Sequence, residues 1–202
     1  MRLGFFCVFL FAGAATHAQI WLTGGVDVHQ YAHSKSLMIK EQPVFATLRF
    51  GFDIYKPDNS RFEFGGEIGP IGRRFKRELG GDTYLYKFPG LQALVEVQFN
   101  LTEKIYLNGG LAGAAFWDEL RRNATRKKIA SGFRSEDVGI AAGAGVKLSD
   151  RFSAGYRYTH WLLDMLEYRV ISDFGAIGPQ QTDIRASNHL IYLRFYLLEK
   201  QE

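Results

Sequence analysis

Residues 138–160, VGIAAGAGVKLSDRFSAGYRYTH, read as a complete β-hairpin. In the first arm Val138, Ile140, Ala142, Ala144, Val146 and Leu148 share one face, with Gly139, Ala141, Gly143, Gly145 and Lys147 on the other. That is the period of two that a strand imposes on its side chains. Ser149 and Asp150 turn the chain, and the return arm sets Phe152, Ala154, Tyr156, Tyr158 and His160 against Arg151, Ser153, Gly155, Arg157 and Thr159. One face is apolar and the other small or charged. A soluble sheet can alternate in the same way, so the rest of the chain must decide which face meets solvent.

The pattern recurs on both sides of the hairpin. Residues 20–29, 44–54, 62–68, 91–99, 105–117 and 189–197 alternate likewise, which with the two arms predicts eight strands. Short turns near Asp58, Thr102 and Asp150 separate them from long, polar connections at residues 33–42, 69–87, 118–137 and 162–186. The connections therefore run long, short, long, short, long, short, long. Short turns on one rim, long loops on the other and an even strand count predict an all-β, eight-stranded, antiparallel up-and-down transmembrane barrel, with short periplasmic turns and long extracellular loops.

The charged residues assign the faces. By parity Asp27, Asp53, Glu63, Glu67 and Glu96 lie opposite the apolar face, as do Arg49, Lys147, Arg157 and Arg194. An eight-stranded barrel is just wide enough for side chains to fill, so these nine residues predict a paired interior charge network and no open channel. A soluble lipocalin-like binding barrel would reverse the faces. It leaves unexplained the aromatics Trp21, Tyr55, Trp117, Tyr158 and Trp161 near strand ends, where membrane girdles sit.

Length, charge and the N-terminus fit that plan. Residues 1–18 combine Arg2, an apolar GFFCVFLFAGAA run and a small residue, Ala18, before Gln19, the pattern of an export signal. Residues 19–202 then form one barrel domain of 184 residues (202 − 18). The single Cys lies within the signal, which excludes a disulfide framework or a Cys-ligated metal in the mature chain. Without Arg2 the formal charge falls from +4 to +3, too mild to point to nucleic acid.

The signal ending in THAQ, the hairpin VGIAAGAGVKLSDRFSAGYRY and the terminal LIYLRFYL together resemble the small eight-stranded outer-membrane barrels of the OmpA-transmembrane-like type, particularly the outer-membrane β-barrel proteins of Bacteroidota. The resemblance covers nearly the whole mature chain and is one of architecture. It implies a bacterial outer-membrane location, a terminal aromatic strand read during barrel assembly (Phe195 and Tyr196 here), and a structural role or one as a binding or accessory subunit. A secretion-apparatus barrel of the PorT kind would suit this size and plan. It carries no catalytic residues.

Three clusters of residues have chemical potential. His29, His33, His160 and His189 fall at the long-loop ends of neighbouring strands, and with Asp164 could make a metal site; parity splits them between faces, so neither a metal nor a cofactor is expected. Ser187 with His189 or His160 is the only pairing that could imitate a lipid A acyl hydrolase, but no third residue is placed to orient the base, and no catalytic residue is assigned. The third long connection concentrates Arg121, Arg122, Arg126, Lys127, Lys128 and Arg134, a surface that could hold lipopolysaccharide phosphates or an acidic partner. The expected partners are outer-membrane lipid and other outer-membrane proteins.

Overall fold

The computed structural model describes residues 19–33, 43–57, 60–79, 82–117, 119–122, 125–126, 135–163, 171–172, 175–176 and 184–197. The expected signal lies outside them. Eight strands form a wall: β1 Ile20–His33, β2 Val44–Tyr55, β3 Phe62–Leu79, β4 Asp82–Asn100, β5 Ile105–Phe116, β6 Glu136–Lys147, β7 Phe152–Trp161 and β8 Ile184–Tyr196. Each pairs antiparallel with its chain neighbours, and β8 returns to β1 with Tyr196 opposite Trp21 and Ile184 opposite His33. The ring is closed, which removes the unpaired edge that would otherwise recruit another chain.

The short turns are built from local hydrogen bonds. Thr102 Oγ1 accepts from the Ile105 and Lys104 amides, and the Leu101 amide donates to the Ile105 carbonyl. Between β6 and β7 the Leu148 and Ser149 amides both reach the Phe152 carbonyl. These contacts fix the register of each hairpin. Register in turn fixes which face every side chain takes, because a slip of one residue would invert all of them.

The faces are those the alternation predicts. Leu48 (60% exposed), Leu111 (69%) and Ile191 (63%) stand outside with Val95, Ile140 and Leu193, while Arg49, Glu67, Glu96, Arg157 and Arg194 are buried inside. A lipocalin-like arrangement is thereby overturned: the inner side carries the charges and the outer side the aliphatics.

Two readings of the sequence are corrected. Residues 69–79 and 82–87 are strand and not loop: β3 and β4 stay paired from Phe62 opposite Phe99 to Leu79 opposite Asp82. The apolar alternation fades there, yet backbone pairing continues. Short strands Glu119–Arg122 and Thr125–Arg126, within the connection expected to be irregular, add to this hairpin through β4. The second correction concerns the girdle. Tyr55 and Trp117 are exposed as expected (61% and 60%), but Trp21 and Trp161 are 2% and 0% exposed and lie inside the barrel. Their odd numbers place them with Thr23 and Thr159, so strict alternation outweighs the preference of indoles for an interface. Room for the Trp21 ring comes from Gly51 and Gly65: a Cβ on Gly65 would stand 2.8 Å from the Trp21 ring.

Candidate functional site

The interior is stacked in tiers from the short-turn rim to the long-loop rim. At the short-turn end Glu63 accepts from Lys56, Gln98 and Asn100, with Lys147 at 3.9 Å. Above it come rings and hydroxyls: Tyr106 and Tyr192 share a 3.2 Å hydrogen bond, and Trp21 stands edge-on to Tyr196. Asp53, Trp21, Glu63, Gln98 and Arg194 border a cavity of about 10 Å³, about the space of one water.

The middle tier is a compact charge cluster. Arg157 donates to Glu67 at 2.5 Å and lies 3.3 Å from Glu96. Arg194 donates to Glu96 at 2.6 Å and stands 3.6 Å from Glu67. Arg49 donates to Asp27 at 2.9 Å and lies 3.8 Å from Glu67. Three guanidinium groups thus face three carboxylates, a formal sum of zero. Neutral donors complete the carboxylates: Thr23 to Glu67 at 2.6 Å, Asn108 to Glu96 at 3.1 Å and Asn188 to Asp27 at 2.9 Å. Buried ions of this kind persist only when charge and hydrogen bonds are nearly complete.

A third tier closes the long-loop end. Ile71, Phe88, Leu94, Ala112, Phe116 and Trp161 form an apolar cluster. Arg73 is embedded in it, 4.3 Å from the Phe116 ring centre and 4.8 Å from that of Trp161, and donates to Asp137 at 2.7 Å. Sequence reasoning missed this ion pair because both residues sat in stretches taken as loops. The signal was present in the numbering: Arg73 has the parity of Glu67 and Asp137 that of Gly139.

The structure therefore brings the nine expected charges to one interior face and divides them. Asp27, Arg49, Glu67, Glu96, Arg157 and Arg194 make the central cluster, while Asp53, Glu63 and Lys147 lie nearer the short turns. His29 and Gln92 are also fully buried inside, with no hydrogen-bond partner for either side chain among the described residues. The His29 ring lies 3.6 Å from Asp27 and edge-on to Phe45.

The histidines do not converge. His160 and His189 lie on the outer face and His29 on the inner, so the wall itself separates them; Asp164 is outside the described residues. No group of three or more His, Cys, Asp or Glu is gathered among the described residues. Ser187 does stand directly opposite His160 in the β7–β8 register. His189 Nδ1 and the Tyr156 hydroxyl share a 2.6 Å hydrogen bond, and His160 Nδ1 lies 3.4 Å from the Tyr158 hydroxyl.

Of the basic cluster, Arg121, Arg122 and Arg126 fall on the short strands added to the β3–β4 hairpin, with Arg121 opposite both Leu85 and Arg126. Lys127, Lys128 and Arg134 lie outside the described residues.

No protein-family model matches the chain, and no curated protein sequence does. Solved structures do. The attachment invasion locus protein Ail of Yersinia pestis, in complex with the heparin analogue sucrose octasulfate, is similar at a TM-score of 0.56, with 12% identity over 90% of this chain and 100% of that one. The outer membrane protein OprG from Pseudomonas aeruginosa is similar at 0.51, with 13% identity over 91% and 97%. The fold is that of eight-stranded outer-membrane barrels. At these identities the likeness is one of fold alone.

Proposed function

We propose that this chain is an integral protein of the bacterial outer membrane whose barrel is sealed and whose working surface is the basic sheet beyond the long-loop rim, where it binds clustered anions. Its role is then structural or that of a binding or accessory subunit in an outer-membrane assembly, and not that of a pore. The observation that carries this reading is the cluster of buried, mutually paired and charge-balanced ions across the middle of the lumen, which supports a closed interior and a function at the surface. Outside, the apolar belt on every wall strand is what a barrel presents to lipid. The barrel of Ail offers a parallel, since its structure holds a polysulfated sugar.

Three measurements test the proposal. In planar bilayers the full-length protein should give no stepwise conductance; reproducible steps would end the sealed-barrel reading. Fluorescence anisotropy with a labelled polysulfated sugar should show binding that weakens as salt rises, as contacts dominated by charge do. Salt-independent binding, or none, would remove the anion-binding role. Location is checked by fractionation with and without boiling, a folded barrel in the outer-membrane fraction migrating differently before and after heat.

A further inference from the structure

The outer wall carries one polar sector below its upper edge. Antiparallel register places three rows across β7, β8 and β1: Tyr156 with Ile191 and Val26, Tyr158 with His189 and Val28, and His160 with Ser187 and Gln30. The rows turn apolar on both flanks, continuing to Ala144, Ala142 and Ile140 on β6 and to Ala46 and Val44 on β2. An interfacial girdle rings a barrel on all sides, whereas these hydrogen-bonding groups are confined to three strands.

Their height follows from the strands. Phe152 and Phe195, opposite each other with ring centres 4.9 Å apart, belong to the short-turn girdle. Along β8 the His189 row lies six residues above them (195 − 189) and the Ser187 row eight (195 − 187). At about 3.4 Å per residue and a tilt of roughly 40°, those rows stand about 16 and 21 Å higher. An apolar band is about 25 Å tall, so both rows lie in its upper part, just beneath the outer-leaflet headgroups.

The hydrogen bonding of the sector points to a ligand that accepts. A phenol is a stronger donor than a neutral imidazole. The 2.6 Å bond of Tyr156 to His189 Nδ1 and the 3.4 Å contact of Tyr158 with His160 Nδ1 therefore leave each imidazole proton on Nε2. His189 Nε2 is buried with no partner, and the side chains of His160, Ser187 and Gln30 make no further hydrogen bond among the described residues. Hydrocarbon offers no acceptor, and an unpaired donor within it is costly. The acceptors that meet a barrel wall at this height are the acyl carbonyls of lipid.

We propose that this sector binds one multiply acylated disaccharide lipid of the lipid A type, whose acyl carbonyls accept from His160 Nε2, Ser187 and Gln30. His160 and Gln30 stand two strand spacings apart, about 10 Å. The two esters of a diacylglycerol sit on adjacent carbons and do not span that distance, whereas carbonyls spread over a disaccharide do. Tyr156 and Tyr158 are positioning residues, since they fix the imidazole tautomers. The inference rests on the outer-membrane reading above and is independent of the anion-binding one.

The test uses the full chain in detergent and native mass spectrometry. The probe is lipid A stripped of its phosphates, which keeps the acyl carbonyls and lacks the charges that a basic surface would take; phosphatidylethanolamine is the diacyl comparison. H160F/S187A removes two donors and leaves the wall more apolar, while Y55F/W117F makes two conservative changes at exposed girdle positions elsewhere. The first should weaken binding of the stripped lipid A tenfold or more and the second less than twofold, with phosphatidylethanolamine bound weakly by all three proteins. Heat-dependent gel mobility confirms folding; if H160F/S187A does not fold, Q30L/S187A replaces it with the same expectation. Equal losses in both variants, or none in either, would overturn the inference. So would phosphatidylethanolamine bound as tightly as lipid A, or a dimer that H160F/S187A dissociates, which would give the sector to a second copy of the chain. A protein that never reaches the outer-membrane fraction would overturn the outer-membrane reading and this inference with it.

Discussion

Replacing Glu67 with Gln tests whether the lumen is a dry, mutually dependent network. The carboxylate is 1% exposed and receives Arg157 at 2.5 Å and Thr23 at 2.6 Å, with Arg194 and Arg49 at 3.6 and 3.8 Å. Gln keeps the shape and can still accept from Thr23. It removes one of three carboxylates facing three guanidinium groups and leaves the cluster with a net +1. Losing one charged partner of a buried pair costs about 3–5 kcal/mol, since the remaining charge stays buried. Glu63→Gln is the internal control. Glu63 is 15% exposed and its Lys56 partner 37% exposed, so solvent screens the pair and the loss should be about 1 kcal/mol or less. Both variants are refolded into lipid vesicles and unfolded in urea, following tryptophan fluorescence and heat-dependent gel mobility. Equal, small losses at the two positions would mean that water fills the middle of the barrel, and the sealed-lumen argument would collapse.

Three further outcomes follow from the same geometry. Leu111 is 69% exposed at the middle of β5, so Leu111→Arg should reduce stability in vesicles by about 2–4 kcal/mol; a change below about 0.5 kcal/mol would show that this face meets water. Gly51→Ala would drive a methyl group into the Trp21 indole, which should cost about 1–3 kcal/mol and shift the tryptophan emission; an unchanged spectrum and stability would refute the placement of Trp21 inside. Ser187→Ala should leave the acyl-chain count of lipid A unchanged in mass spectra of membranes containing the protein, and a difference from the parent would revive an acyl hydrolase.

The barrel was legible in the sequence because its wall has two environments and strands have a period of two. Val138, Ile140 and Ala142 could not share a face with Gly139 and Ala141, so lipid-facing and lumen-facing sets separate on inspection. Nine lumen charges followed from their numbers alone. At residues 73–79 and 82–87 the composition stops alternating although the two strands stay paired. Pairing there is held by backbone hydrogen bonds, which leave no trace in side-chain type, and the hairpin and the Arg73–Asp137 pair stayed hidden. Trp21 and Trp161 show the opposite failure: their chemistry suits an interface, but position in the strand decides. The sequence determined the strand count and the faces of the strands wherever composition alternates. Which charge meets which was decided only by closure of the ring. Arg157 and Glu67 are 90 residues apart, and their contact depends on register summed around the wall, a quantity that no local stretch contains.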